Sequence, residues 1–99
     1  MFLNYFVQLD SSVIQFLNYI KHDVLENLEN LNYKDIKGIR LSLQFFKETT
    51  IKNFQVIMHY DYAKSALDAH LKMFDKLDKK LKKQQNLMRP IFQQLLALP

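Results

Sequence analysis

The residues with the clearest chemical pattern in this sequence are positively charged side chains near its C-terminal end. They are Lys72, Lys76, Lys79, Lys80, Lys82, Lys83 and Arg89. Four of the lysines, starting at Lys72, follow one another at steps of four, three and four residues, so on a helix they would lie along one side, flanking an apolar stripe. A row of ammonium groups suits a nucleic-acid backbone, because phosphate contacts give affinity and salt dependence without reading the bases. We therefore predict a nucleic-acid-binding surface here, supported by Lys37 and Arg40.

The distribution of charge also favours a polyanionic partner. The 99-residue chain has a formal net charge of +4. Residues 1–62 carry six basic and seven acidic side chains, whereas residues 63–99 carry eight basic and three acidic ones. A basic segment of this kind is typical of proteins that bind nucleic acid or an anionic membrane surface. The alternative is a solvated helix face, in which Asp75 pairs with Lys79 and Asp78 with Lys82 at i,i+4 spacing.

Residues that could support catalysis or bind a metal ion are few. His22, His59 and His70 fall in three different predicted elements, and no pair of them has metal-ligand spacing on one helix. The chain has no cysteine and a single isolated glycine, Gly38, which excludes a thiolate metal site and a glycine-rich phosphate loop. We predict a non-enzymatic protein with no metal and no cofactor. The sequence shows no secretory signal and no membrane span, so we expect a single cytoplasmic domain over residues 1–99.

Two segments have the apolar spacing of a helix. In residues 12–31 the apolar side chains recur at steps of three and four, and Ser12 with Gln15 fits a capping box. Asp10 and Ser11 are interpreted as a turn that precedes this helix. Residues 63–88 form the second helix, which carries the lysines, and Pro90 is expected to end or kink it. Residues 90–99 then form a short apolar helical tail.

The segment between the two helices alternates between apolar and polar residues. "IRLSLQF" at 39–45 and "FQVIMHYDY" at 54–62 have this period of two, and the polar link "KETTIKN" joins them, which predicts a β-hairpin. Phe45 falls on the apolar face of the hairpin. Phe46, Tyr33 and Tyr62 are the aromatic candidates for stacking on bases, with a core position as the alternative.

These elements predict an α+β fold. Residues 2–9, which are apolar on both faces, are taken as a first strand, so the order is β-α-β-β-α, with two helices packed on one face of a small antiparallel sheet. The alternative is an all-α helical bundle. In that fold the triplet Leu-Asn-Tyr, repeated at 3–5, 17–19 and 31–33, could mark heptads, but Asp10 and Gly38 interrupt the heptad line and favour coincidence.

The segment "FDKLDKKLKKQ" at 74–84 resembles the second helix of the ribosome hibernation-promoting factors. The matching residues are Asp75, Lys76, Leu77, Lys79, Leu81 and Lys83. Tyr19 and Ile20, followed by Val24 and Leu28, are similar to the first helix of that family. The resemblance implies an α+β protein that binds the small ribosomal subunit near the decoding region, contacts rRNA phosphates through lysines and inhibits translation without catalysing a reaction.

The chain departs from this family at several positions. The strand that normally precedes the second helix is missing or replaced by "SALDAHL", and basic positions of the first helix are occupied by Asp23 and Glu26. Lys21, Lys37 and Arg40 are the only basic residues nearby, and the tail "RPIFQQLLALP" is unlike the family.

Two functions are therefore predicted. The first is an RNA-binding protein that associates with the small ribosomal subunit. The second is a small helical protein-interaction module, such as an adaptor, a chaperone or an immunity protein, which would bind a protein partner or a second copy through its apolar tail. The tail residues are Ile91, Phe92, Leu95, Leu96 and Leu98.

Overall fold

Over residues 2–97 the protein has three long α-helices, with π- and 3-10-helical segments between the first two and a short turn between the last two. The computed structural model describes the backbone of residues 2–97 and the side chains of residues 3–90 and 94–97. Helix α1 spans Phe2–Tyr19 and continues through a π-helical turn at Ile20–Val24 into a 3-10 segment at Leu25–Asn30. Helix α2 spans Tyr33–Phe54, a short 3-10 turn follows at Gln55–Ile57, and helix α3 spans Asp61–Ala97.

The predicted α+β fold is wrong, because residues 2–97 contain helices and no β-strand. The alternation at 39–45 lies inside α2. The residues of α2 that are buried are Ile36, Leu43, Thr50 and Phe54, which recur at steps of seven, seven and four. That spacing is helical. Of the alternating apolar residues, Ile39 and Leu43 lie toward the core, whereas Leu41 and Phe45 are exposed. The second alternating run, 54–62, contains the end of α2 and the turn into α3 instead of a strand.

The predicted first strand, residues 2–9, is also wrong. These residues form the start of α1, and the predicted turn at Asp10 and Ser11 lies in the middle of that helix. Asp10 pairs with His70 of α3 at 2.6 Å instead of making a turn. Since the segment is continuous with the predicted helix at 12–31, it need not be stable as a short helix on its own.

The N-terminus of α2 has a clear local cause. Asn32 accepts a hydrogen bond from the backbone N–H of Asp35 at 2.8 Å, and the Asp35 carboxylate accepts one from the backbone N–H of Asn32 at 3.1 Å. This reciprocal capping box satisfies two donors that a helix start leaves free. Asn32, which directly follows the predicted helix at 12–31, is therefore the N-cap of the next helix.

The three helices run up, down and up around one core. Lys47 pairs with Asp75 and Arg40 with Asp78, so α2 and α3 are antiparallel. Asp10 of α1 pairs with His70 of α3, and further along both helices Phe16 contacts Phe74. Because the contacts follow the same order along both helices, α1 and α3 are parallel. One aromatic ring from each helix meets at the edge of the core, the buried Phe74 of α3 with the half-buried Phe16 of α1 and Phe46 of α2. Phe16 stacks on Phe46 with ring centroids 4.0 Å apart, and Phe74 lies 6.3–6.4 Å from both.

Helix α3 extends beyond the other two helices. Its 37 residues correspond to about 55 Å, close to the 60 Å long dimension of the molecule. Arg40 contacts both Asp78 and Gln85, so it lies at a level between them on α3. Since α2 begins seven residues before Arg40 and runs antiparallel to α3, the start of α2 lies near Met88. Pro90 was expected to end or kink the helix; it lies inside α3 and does not end it, since α3 continues to Ala97. Residues 89–97 thus form an arm that projects past the body.

The three Leu-Asn-Tyr copies have different environments. Leu3 is exposed, Leu17 is buried and Leu31 is half-buried. Asn32 of the third copy caps α2, whereas Asn4 and Asn18 lie exposed within α1. The three leucines do not share one heptad seam.

Gly38 offers a direct test of the helical assignment of residues 39–45. It lies exposed inside α2, has no positive φ, and has no atom within 4 Å of the position that a Cβ would take. Gly38→Ala is expected to raise the free energy of unfolding by about 0.5–1 kcal/mol, because alanine loses less backbone entropy in a helix. Thermal denaturation measures this, with Ser42→Ala in the same helix as the control that should give a smaller gain. Destabilisation by Gly38→Ala would contradict the helix.

Candidate nucleic-acid interface

The predicted basic residues of α3 lie on its outer surface. Those with exposed side chains are Lys72, Lys76, Lys79, Lys80, Lys82, Lys83 and Arg89. The inner side of α3 carries buried residues that are each at most 1% exposed: Phe74, Leu77 and Leu81. At about 100° per residue, Lys72, Lys76, Lys79 and Lys83 lie opposite these buried residues. The prediction that these four lysines flank the apolar stripe is wrong, because they face away from the core. The lysines on the flanks of the stripe are Lys80 and Lys82.

Six of these residues form what we call the lysine stripe: Lys72, Lys76, Lys79, Lys80, Lys82 and Lys83. Four of its members, together with Asp75, line an open surface groove of about 470 Å³. The groove is shallow and mostly open to solvent, which suits an extended chain of phosphates better than an enclosed small molecule.

The aspartates within the stripe are engaged by α2. Lys47 donates to the Asp75 carboxylate at 3.1 Å. Arg40 donates through Nε and an Nη atom to the two Asp78 oxygens at 2.9 and 3.1 Å. The expected pairs of Asp75 with Lys79 and of Asp78 with Lys82 are not formed among the described residues. The lysines of the stripe are therefore not held by the neighbouring carboxylates on their own helix.

Arg40, a predicted phosphate ligand, has a structural role. Its remaining Nη atom donates to Oε1 of the buried Gln85 at 2.7 Å, so one guanidinium connects α2 to two turns of α3. The hydrogen bond to Asp78 raises the pKa of Arg40 above its ordinary value, burial opposes this, and the attraction of the Asp78 charge adds to the rise. A raised pKa means that this stabilisation is fully present below the ordinary pKa of arginine and is lost only in strong alkali.

The other supporting residues lie at one end of the stripe. Lys37 is exposed on α2, one turn before Arg40, which places it near the level of Gln85 on the antiparallel α3. Arg89 is exposed where the arm begins. Both residues extend the positive surface toward the arm.

The histidines are not brought together. His22 lies 3.4 Å from Glu26 on an exposed surface, and His70 pairs with Asp10 between α1 and α3. Among the described residues, no group of three or more histidine, aspartate or glutamate side chains is arranged to hold a metal ion. Nothing in these contacts resembles a nucleophile and base held for reaction.

The predicted partner-binding residues lie on the arm. Leu95 and Leu96 are 62% and 68% exposed. The side chains of Ile91 and Phe92, and all of Leu98, lie outside the described residues. Within residues 2–97, no helix has the length and apolarity needed to cross a membrane.

Sequence reasoning missed the exposed pair Leu41 and Phe45 on α2, which are 65% and 71% exposed. The predicted hairpin placed both on its buried face. The expected stacking candidates are less available: Phe46 is stacked on Phe16, and Tyr62 packs against Phe6 with ring centroids 4.8 Å apart. A helical period for 33–54 would have identified Leu41 and Phe45, because each lies two residues, about 200°, from the buried Leu43.

A scan against models of known protein families finds no match to this chain. Searches of curated proteins and of solved structures also find no match. Over residues 2–97, the fold and the surface define the protein as a small three-helix protein with a basic outer face on its longest helix.

Proposed function

We propose that this protein is a non-enzymatic RNA-binding protein whose lysine stripe contacts the phosphate backbone. The observation that carries the proposal is that six exposed lysines lie within twelve residues of one helix. The two aspartates among them are engaged from α2, Asp75 by Lys47 and Asp78 by Arg40. Lysine ammonium groups attract phosphates without base specificity, so the stripe supplies affinity and orientation.

The proposed RNA is rRNA of the small ribosomal subunit, where the bound protein would inhibit translation. This finer proposal is supported by the resemblance of residues 74–84 to the basic helix of hibernation-promoting factors. The sheet that the resemblance implies is absent from residues 2–97, so any contact with rRNA would be made by helices.

Co-sedimentation with purified small ribosomal subunits tests the finer proposal. The protein should pellet with the subunits at low salt and be released as salt rises, and it should inhibit translation in a cell-free system. Failure to pellet at low salt would contradict the ribosomal partner.

Salt titration with short single-stranded RNA tests the coarser proposal separately. If all six lysines contact phosphates, the slope of log affinity against log salt is about −4, so affinity should fall roughly 300-fold from about 50 to about 200 mM salt. An affinity that does not change with salt would contradict phosphate binding by the stripe, whatever the ribosome experiment shows.

A second candidate function is protein interaction through the arm. The observation that favours it is the projection of α3 beyond α1 and α2, which leaves Leu95 and Leu96 exposed. The segment 90–97 carries no charged side chain, so an apolar contact there does not require a charged group to be desolvated. Burying this apolar surface would favour association between copies or with another apolar protein surface.

Self-association is the form of this interaction that can be measured directly. Replacing Leu95 and Leu96 with glutamine keeps helix propensity and removes apolar surface, so any concentration-dependent dimer should be lost. Sedimentation velocity at low and high salt measures this, with Gln94→Ala as the control on the same arm. A monomeric wild-type protein at high concentration would contradict self-association through the arm.

A further inference from the structure

The outer face of α2 carries an apolar pair that the fold does not use. Leu41 and Phe45 are separated by four residues, so they are neighbours on one side of the helix. Their exposures of 65% and 71% are among the highest of the large apolar side chains. Of the ring contacts made by described residues, none involves Phe45, whereas the adjacent Phe46 stacks on Phe16. These two adjacent side chains contribute little to burial in this fold, so their apolar surface is available to a partner.

The surroundings of this pair are positively charged. Lys37 and Lys52 are exposed on α2, about 12 Å and about 10 Å along the helix axis from Phe45, one on each side. Glu48 is the acidic residue between Phe45 and Lys52, and it accepts a hydrogen bond from Gln44 at 2.9 Å. An aromatic ring between two lysines on a rigid helix is complementary to a base between two phosphates.

We propose that Phe45 is a stacking surface for an unpaired RNA base, with Leu41 extending the apolar contact and Lys37 and Lys52 binding the phosphates on either side. This inference rests on the proposed RNA-binding function and specifies its substrate class, which is single-stranded RNA. In a duplex the faces of the bases are covered by their neighbours, so an aromatic side chain fixed on a helix can stack only on a base that is already unstacked.

Two features favour this occupant over a protein. The flanking lysines would be costly to bury against an apolar protein surface, whereas they pair with phosphates at little cost. A planar ring with an exposed face also matches a base, because every base has a π-face.

The chain has no tryptophan, so Phe45→Trp introduces a single tryptophan at the proposed site, whose fluorescence can be excited selectively over that of the five tyrosines. Single-stranded RNA should quench this fluorescence, and the affinity obtained from the quenching should equal that from an independent binding assay. A duplex of equal length should not quench the fluorescence. Phe45→Ala should lower affinity for the single strand about 10-fold to 100-fold, with an unchanged salt slope, because no charge is removed. Phe45→Tyr should restore the binding.

Val56→Ala is the matched control, since Val56 is another exposed apolar residue, 59% exposed, outside this face. It should leave RNA affinity unchanged. Wild-type affinity in Phe45→Ala, or unchanged fluorescence of Phe45→Trp at saturating RNA, would overturn the stacking site while the salt-dependent lysine stripe stands. Loss of protein self-association instead of RNA binding in Phe45→Ala would also overturn it, in favour of a protein-docking face. If the wild type binds no RNA at low salt, the proposed function itself fails.

Discussion

Replacing Lys76, Lys79 and Lys83 together with glutamate is expected to lower the affinity for single-stranded RNA on the order of 100-fold or more at low salt. The three lysines lie opposite the core, on the side of α3 that faces solvent. The substitution removes three phosphate contacts and introduces three repulsive charges. The slope of log affinity against log salt should become shallower, from about −4 to about −2. The reason is that binding then neutralises three fewer phosphates and releases fewer counterions from the RNA.

A matched variant separates local contacts from net charge. Lys21, Lys34 and Lys64 are also exposed, and they lie in three different parts of the chain. Replacing these three with glutamate changes net charge by the same amount but should lower affinity only slightly. Circular dichroism should show that both variants remain folded, since none of the six lysines makes an interhelical ion pair among the described residues. Equal losses in the two variants would contradict a localised interface.

Phe74→Ala is expected to produce the largest loss of stability. Phe74 is 1% exposed and is the α3 member of the three-ring contact with Phe16 and Phe46. Removing a fully buried ring lowers the free energy of unfolding by about 3–5 kcal/mol through lost transfer energy and a cavity. A domain of this size has a total stability of about 5–15 kcal/mol. The melting temperature should therefore fall by roughly 10–30 °C, or the variant should fail to fold.

The same substitution at Phe45 is the control for this prediction. Phe45 is 71% exposed, so Phe45→Ala should change stability by less than about 0.5 kcal/mol. Urea denaturation followed by circular dichroism measures both variants. Comparable destabilisation at the two positions would contradict the orientation of α2, because that orientation is what places Phe46 inside and Phe45 outside.

The stripe and the core are coupled through α2. Arg40 and Lys47 hold α2 against α3, and in doing so they neutralise Asp78 and Asp75. The same two contacts therefore stabilise the bundle and raise the net positive charge that α3 presents to a polyanion.

Much of α3 could be predicted from local spacing. Apolar residues at steps of three and four, with lysines between them, indicate a helix with a basic side over 63–88, and the structure has this helix. The end of α3 was not predicted, because a proline inside a helix usually ends or kinks it. Here α3 continues past Pro90 to Ala97.

The middle of the chain could not be predicted in the same way. Ile39, Leu41, Leu43 and Phe45 alternate as in a strand, yet only Leu43 of these four is buried. The alternation taken alone favours a strand, and the decision for a helix comes from residues outside it: the capping box at Asn32 and Asp35, and the buried Ile36, Thr50 and Phe54. The hydroxyl of Thr50 donates to the Phe46 carbonyl at 2.8 Å, which lets this polar residue occupy a buried helical position.

The sequence by itself determined the helical spacing of the apolar residues from Val13 to Val24 and over 63–88, the spacing of the lysines and the absence of charge in residues 90–97. It did not determine where the first helix ends, because residues 25–30 form a 3-10 segment and Leu31 is extended. Only the tertiary structure decided that Arg40 is an interhelical ligand of Asp78 and Gln85 and not a free phosphate-binding group. It also decided that Phe45 is exposed beside a stacked Phe46. The physical reason is that the relation between residues three or four apart follows from helix geometry alone, whereas ion pairs and burial depend on which helices pack together and with what rotation about their axes.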